Sequence, residues 1–207
     1  ILSDKSIFSC IGGIAASISN VSIRNCHNYG SLNAGKPAEG YHGSTGNYAG
    51  GIVGEVRTSS TYKGSTQIIG CSNRGSVTAG GYVGGILAEI PNNSACNVLI
   101  ESCFNTGTLT ATNQTEDQHI GGIVGMGFDR ILNCYHAGTL EAGSTSGRSY
   151  RGGILGYVAK GTGAATLAHN YSVQSASLSV GGHAEDAVLA DDTTLMLASF
   201  MKEESFV

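Results

Sequence analysis

The chain has 207 residues, of which 32 are Gly, 2 are Pro and none is Trp; its formal net charge is −4. The glycine content, with 41% hydrophobic and only 13% charged residues, excludes a disordered chain and predicts a repetitive β structure with tight turns. The acidic balance makes nucleic acid and anionic membranes poor candidates as partners, and no apolar run reaches the roughly 18 residues of a membrane span. The start at Ile1, without Met or a signal peptide, predicts a fragment from which targeting information has been removed.

Internal repeats dominate the chain from its first glycine pair onward. A Gly-Gly-Ile signal occurs five times, at Gly12-Gly13-Ile14, Gly50-Gly51-Ile52, Gly84-Gly85-Ile86, Gly121-Gly122-Ile123 and Gly152-Gly153-Ile154. The next signal, Ile-x-x-Cys, ends at Cys26, Cys71, Cys103 and Cys134, and a degenerate copy ends at Asn170. Two residues later come Asn28, Asn73, Asn105, His136 and Ser172. The recurrence of so many columns indicates one structural unit repeated five times.

The residues after each Gly-Gly alternate with a period of two, which predicts a strand. Its first, third and fifth columns are expected to be buried, and its fourth column, which contains Glu55 and Glu89, to face water. The second column is apolar but lies outside the core in this register: Ala15, Val53, Leu87, Val124 and Leu155. An exposed apolar stripe needs a cover, so we expect a flanking segment, such as a terminal helix, or another chain to lie on it.

These columns predict an all-β fold, a right-handed parallel β-helix of about five rungs, in which each repeat supplies three short strands. The repeats are assigned to residues 1–190. Acidic and threonine residues before Leu195 predict a short C-terminal capping helix or tail at residues 191–207. The repeats differ in length, which places surface loops at Gly35–Asn47, Arg57–Thr66, Pro91–Asn97, Asn113–Gln118, Gly143–Ser149 and Lys160–Ala164.

Gly-Gly-Ile-Val-Gly at 121–125 and Asn-Cys-Tyr-His-Ala-Gly-Thr-Leu at 133–140 resemble the GLUG motif repeat. That repeat occurs in large bacterial surface and secreted proteins, including some Bacteroidetes lipoproteins and IgA-specific metallopeptidases. The resemblance covers about residues 10–180 clearly and the tail loosely. It implies an extracellular β-helical stalk or adhesin-like module without catalytic residues. The zinc motif of the peptidases lies outside these repeats, and no His-Glu-x-x-His occurs here.

Two columns are interpreted as structural ladders. The cysteines Cys26, Cys71, Cys103 and Cys134 would stack as unpaired small hydrophobes, since parallel side chains suit neither disulfide geometry nor a converging zinc site. The amides of Asn28, Asn73 and Asn105 would bond to one another and to the turn backbone, with His136 in the same role. No metal and no cofactor are expected, and the states of Cys10 and Cys96 stay open.

Weak binding candidates lie on the outside. Glu55 and Glu89 share a column on neighbouring rungs, so their carboxylates could act in glycoside hydrolysis or bind calcium, although a solvated surface pair is the simpler interpretation. Two aromatic columns could form a sugar platform or simply stabilise neighbouring rungs. One contains Phe104, Tyr135 and Tyr171, and the other contains Tyr48, Tyr82, His119 and Tyr150.

The favoured function is a non-enzymatic extracellular or cell-surface module, a stalk or adhesin-like segment that presents loops to a protein or glycan ligand. The alternative is a carbohydrate-binding or carbohydrate-active β-helix module that uses Glu55 and Glu89. Ice binding is a remote third option, because the regularly spaced hydroxyl column at Ser31, Ser76, Thr108, Thr139 and Ser175 lacks the paired Thr-x-Thr ranks in most repeats.

Overall fold

The computed structural model describes residues 9–35, 47–57, 64–91, 97–113, 117–127, 129–143, 147–159, 165–173, 178–185 and 187–196. These residues form 26 short strands and no helix, so none of them belongs to a helix able to cross a membrane. The strands are arranged in five sheets, and every pair of neighbours is parallel. The predicted all-β class with stacked parallel sheets is confirmed.

We number the sheets I to V in the order in which the chain passes through them. Sheet I contains β1 (Cys10–Gly12), β6 (Tyr48–Gly50), β11 (Tyr82–Gly84), β16 (Gln118–Gly121) and β21 (Ser149–Gly152). Sheet II contains β2 (Ala15–Ile18), β7 (Val53–Val56), β12 (Leu87–Glu89), β17 (Val124–Gly127) and β22 (Leu155–Val158). Sheet III contains β3 (Ser22–Arg24), β8 (Ser65–Ile69), β13 (Asn97–Glu101), β18 (Arg130–Leu132), β23 (Ala165–Ala168) and β25 (Leu189–Asp191).

The last two sheets complete each repeat. Sheet IV contains β4 (His27–Asn28), β9 (Ser72–Asn73), β14 (Phe104–Asn105), β19 (Tyr135–His136), β24 (Tyr171–Val173) and β26 (Thr194–Met196). Sheet V contains β5 (Leu32–Asn33), β10 (Val77–Ala79), β15 (Leu109–Ala111) and β20 (Leu140–Ala142). A full repeat therefore has five strands where three were predicted, because the chain bends more often than the period-two pattern indicated. Successive repeats stack sheet upon sheet, an arrangement consistent with a β-solenoid.

Equivalent residues of successive repeats lie opposite one another in every sheet. Gly50 pairs with Gly84 in sheet I and Asn73 pairs with Asn105 in sheet IV. Val77 pairs with Leu109 in sheet V. Each column of the sequence is therefore a physical row of side chains along the stack, at the strand spacing of about 4.8 Å.

The corner between sheets I and II lies at the Gly-Gly-Ile signal. The amides of Ile52 and Val53 both donate to the Ile86 carbonyl, at 3.1 and 2.9 Å. One carbonyl facing two successive amides bends the chain, so the side-chain alternation restarts after the Ile. The same pairing recurs one repeat later, where Ile86 and Leu87 donate to the Ile123 carbonyl.

This corner corrects the prediction of an exposed apolar stripe. Val53, Leu87 and Val124 are fully buried, and together with the preceding Ile column they form part of the main hydrophobic cluster. Leu155 is buried as well and Ala15 is half-buried, so the chain's own core covers the stripe. The Ile column is exposed only in the first described repeat: Ile14 is 48% exposed, whereas its equivalents in the later repeats are fully buried.

The core is divided between two groups of sheets. The main cluster fills the space between sheets II and III, extends to the corner between sheets III and IV, and includes Ile68, Cys71 and Ile100. A second cluster joins sheets I and V through Ala49, Val77, Val83 and Leu109. Burial of each such aliphatic side chain stabilises the fold by roughly 1.5–3 kcal/mol.

The predicted C-terminal helix is wrong for the residues that the structure describes. Residues 189–191 and 194–196 are strands that extend sheets III and IV, and Val180 and His183 bridge to Leu155 and Val158 in sheet II. The Asp192 amide donates to the Leu167 carbonyl at 3.0 Å. The backbone groups of this segment therefore bond to the open edge of the sheet instead of to one another within a helix. Residues 197–207 of the predicted cap and the whole predicted loop at 160–164 lie outside the described residues. So do residues 36–46, 58–63, 92–96, 114–116 and 144–146 of the other predicted loops.

Gly85, the second glycine of its pair, tests how closely the repeats are packed. A Cβ there would overlap the Gly122 carbonyl oxygen and would lie 2.6 Å from the Asn105 Cβ. We expect Gly85→Ala to destabilise the fold by about 3 kcal/mol through overpacking. Gly143→Ala is the matched control, since its Cβ would meet nothing nearer than 3.5 Å. Thermal unfolding followed by circular dichroism measures both, and equal melting temperatures would contradict the packing.

Candidate functional site

The cysteine column lies at the corner between sheets III and IV. Each thiol donates to the carbonyl of the residue two positions earlier: Cys26 to Arg24 at 3.4 Å, Cys71 to Ile69 at 3.4 Å, Cys103 to Glu101 at 3.3 Å and Cys134 to Leu132 at 3.2 Å. The amide of Cys71 donates to the sulfur of Cys103, and that of Cys103 to the sulfur of Cys134, both at 3.4 Å. Asn170 takes the next position, and its Oδ1 accepts from the Cys134 amide at 2.9 Å.

The residue before each cysteine adopts a left-handed backbone conformation. The φ angles of this corner column are 51° at Asn25, 64° at Gly70, 53° at Ser102, 54° at Asn133 and 56° at His169. Gly and Asn tolerate this region best, His is also enriched in it, and Ser occupies it at some cost. Sequence reasoning missed this column, although three of its five members being Asn or Gly was a usable signal.

The thiols of the column are poorly suited to chemistry. The described cysteines, Cys10 and the four of the column, are free. Hydrogen bonding to Cys103, together with burial, raises the pKa of the Cys71 thiol, and bonding to Cys134 raises that of Cys103. Such thiols are weak nucleophiles. Among the described residues no group of three or more His, Cys, Asp or Glu could hold a metal ion, and Cys96 lies outside them.

The asparagine column forms a hydrogen-bonded chain along the stack. Asn28 Nδ2 donates to Asn73 Oδ1, and Asn73 Nδ2 donates to Asn105 Oδ1, both at 2.8 Å. The amides also bond to the turn that follows, as Asn73 Nδ2 does to the Gly75 carbonyl at 2.9 Å. Asn73 and Asn105 are fully buried and cannot bond to water, so the row of hydrogen bonds supplies the partners for their polar atoms.

His136 ends the amide chain. Asn105 Nδ2 lies 3.1 Å from His136 Nδ1, so that nitrogen accepts and the proton of the neutral ring is on Nε2. Nε2 is buried without a hydrogen-bond partner, as is Oγ of Ser172, the next residue in the column. Burial lowers the pKa of His136 to about 4.

The structure packs the column of Glu55 and Glu89 against sheet I instead of leaving it in water, so that Glu55 is buried and Glu89 is half-buried. They pair in register on adjacent strands, and Glu55 is only 8% exposed. Arg57 Nε donates to Glu55 Oε1 at 2.7 Å. Burial, and secondarily the Glu55 charge, raises the pKa of Glu89 to about 7. Burial also raises the pKa of the nearby Cys10 thiol to about 12, with both carboxylates adding to the shift.

The ring column of sheet I faces this carboxyl pair rather than solvent. Tyr48, Tyr82 and His119 are buried and stack in parallel, with centroids 4.6 and 4.7 Å apart. The stack continues to Tyr157 of sheet II, 4.6 Å from His119, while Tyr150 meets His119 edge-on at 5.2 Å. The predicted outward platform is therefore wrong for this column. Burial lowers the pKa of His119 to about 4.

The second aromatic column lies on sheet IV and lines an open groove. Phe104 and Tyr135 stack with centroids 4.9 Å apart, and Tyr171 follows in register. The groove has a volume of about 550 Å³ and is lined by Ser102, Cys103, Asn133, Cys134, Tyr135, His169, Tyr171 and Met196. It therefore brings together two weak candidates, Tyr135 and Tyr171, with the corner column, whereas Glu55 and Glu89 lie elsewhere.

The chemistry available differs between these regions. The cysteine, asparagine and Glu–Tyr columns are interior, and their polar atoms serve mainly to hold one repeat on the next. The groove at the corner of sheets III and IV is open and carries planar polar groups beside aromatic rings. We therefore take the groove as the candidate functional site.

His136→Asn isolates the effect of the buried imidazole on stability. The folded pKa near 4 lies below the ordinary 6.5, so the imidazole's contribution to stability is complete above pH 6.5 and is lost as the pH falls towards 4. We expect the asparagine variant to extend the amide chain and to match the parent within about 1 kcal/mol at pH 7. At pH 4 it should be more stable than the parent by up to about 3 kcal/mol. Urea unfolding at both pH values measures this, and a difference independent of pH would contradict it.

Glu89→Gln should show the opposite pH dependence. The folded pKa near 7 lies above the ordinary 4.5, so the carboxyl's contribution is complete below pH 4.5 and is lost as the pH rises through 7. Relative to the parent, the glutamine variant should gain up to about 3 kcal/mol of stability between pH 4.5 and pH 8. Glu141→Gln, on the exposed part of sheet V, is the control and should show no such gain. Parallel curves for the parent and Glu89→Gln would refute the raised pKa of Glu89.

Comparisons with known proteins do not assign the chain to a family. No family model matches it, and neither the curated proteins nor the solved structures include a match.

Proposed function

We propose that this chain is a non-enzymatic module of an extracellular or cell-surface bacterial protein, a stalk or adhesin-like segment of the GLUG repeat type. In this proposal the stacked sheets form a right-handed β-helix of about five rungs that presents its outer face and loops for binding. The observation that carries the proposal is that the side chains of the interior columns contact one another from repeat to repeat. Their thiols, amides and rings bond or stack along the axis, which makes a rigid rod and leaves binding to the outside.

The buried residues speak against catalysis as the main role. A glycosidase needs two carboxyl groups that reach the scissile bond, about 5 Å or more apart, in a site open to substrate. Glu55 instead is buried and engaged by Arg57, and Glu89 faces the ring column of sheet I. The carbohydrate-active alternative therefore loses its catalytic candidates. The carbohydrate-binding alternative keeps its support, because Tyr135 and Tyr171 line the open groove.

Antibodies against the purified chain test the location. On intact cells of the source bacterium we expect surface labelling that is lost after protease is added outside the cells. Labelling that requires permeabilised cells would overturn the proposal. The non-enzymatic role has its own contrary result: release of reducing ends from a polysaccharide by the purified chain, abolished by Glu55→Gln/Glu89→Gln.

A further inference from the structure

The groove between sheets III and IV is built from two columns that run side by side along the stack. One is the corner column, represented in the groove by Ser102, Asn133 and His169, and the other is the aromatic column with Tyr135 and Tyr171. Its volume of about 550 Å³ falls within the range of ordinary ligand sites, roughly 300–1,000 Å³. A site of this kind combines apolar walls with a few polar groups that orient the ligand.

The polar side of the groove is held in place by the backbone. The left-handed conformation at Asn133 and His169 is the same in each repeat, with φ angles of 54° and 56°. His169 is further held by Asp192, whose Oδ1 accepts from the His169 amide at 2.5 Å and whose Oδ2 lies 3.5 Å from the ring Nδ1. The His169 side chain remains 75% exposed, so its imidazole is positioned but accessible.

The aromatic side of the groove supplies apolar surface. Tyr135 and Tyr171 are half-buried, and one face of the Tyr135 ring is covered by Phe104 at an interplanar angle of 4°. The rings are thereby fixed at the wall, where they offer apolar surface to a ligand that also reaches the corner column. Pre-positioned aromatic and polar groups reduce the entropy lost on binding.

The repeat of the groove indicates the form of its ligand. The Asn133–Tyr135 pair recurs as His169–Tyr171 one repeat later, at the strand spacing of about 4.8 Å. A linear chain of pyranose units has a similar repeat, and each unit offers hydroxyl groups at its edges and C–H groups on its faces. The eight lining residues include no Lys, Arg, Asp or Glu, and the Asp192 carboxylate lies beside His169, so a neutral sugar chain fits better than an anionic one.

We propose that this groove binds a neutral linear oligosaccharide, with Asn133 and His169 bonding to hydroxyl groups and Tyr135 and Tyr171 packing against the sugar rings. The inference rests on the proposed function as an extracellular binding module and gives that module its ligand class.

Glycine substitution in the corner column provides a clean test, because Gly70 already occupies an equivalent position at φ 64°. Asn133→Gly/His169→Gly therefore removes the two polar side chains without straining the backbone. Asn25→Gly is the matched control, since it makes the same change in the same column outside the groove. Melting temperatures of all variants verify that the fold is kept.

The probes are hexasaccharides of β-1,4-linked glucose, N-acetylglucosamine and mannose, with a galacturonate hexasaccharide as the anionic comparison, titrated by calorimetry. We expect at least one neutral hexasaccharide to bind, and its affinity to fall at least about tenfold in the double variant, since 1.4 kcal/mol of lost hydrogen bonding is a factor of ten. Asn25→Gly should bind as the parent does.

Three results would overturn the inference: no binding of any neutral hexasaccharide at millimolar concentration, equal binding by the double variant, or binding of galacturonate as tight as that of the neutral chains. None of these bears on surface labelling of intact cells. The titrations therefore test the glycan site, and the labelling of cells separately tests the proposed function.

Discussion

Hydrogen bonding along the stacking direction is the constraint on which this structure depends. In parallel sheets that stack in register, the nearest neighbours of a buried side chain are its own counterparts in the adjacent repeats. A polar residue is then best accommodated in the interior if it is both a donor and an acceptor along the axis. Asparagine satisfies this requirement, as the bonds from Asn28 through Asn73 to Asn105 show. A cysteine satisfies this requirement more weakly. Its backbone amide donates to the sulfur of the cysteine in the next repeat, but its thiol donates to a carbonyl two residues earlier in its own repeat.

The same constraint explains where the interior is imperfect. The amide chain ends at His136, and both His136 and Ser172, the next residue of the column, have a buried polar atom without a partner. Glu55 and Glu89 show the opposite case, since stacking places like charges side by side and burial raises the pKa of Glu89. The histidine and the glutamate therefore give the fold opposing pH dependences between about pH 4.5 and 6.5.

Close packing of the repeats determines where function can reside. The glycine pair brings the corner of sheets I and II against the asparagine column, so a single methyl group at Gly85 has no room. The groove instead lies on the outside, at the corner between sheets III and IV, and its lining residues come from successive repeats. The oligosaccharide that we propose as its ligand is likewise a repeating chain.

The sequence alone was sufficient to predict parallel β-stacking, because in-register columns such as the Gly-Gly-Ile series and the Ile-x-x-Cys series have no other simple explanation. It also singled out Tyr135 and Tyr171, two of the groove's residues. It misplaced Val53 and its column, because alternation was carried through a corner where two amides share one carbonyl. It also predicted a helix where residues 194–196 pair with an open sheet edge, since local capping signals are weaker than a ready set of strand partners. Burial of Glu55 and the joining of Asn133 and His169 to the tyrosines depend on how the sheets bend around one another. Only the tertiary structure decided these, because a bend changes which faces meet without altering the period of the sequence.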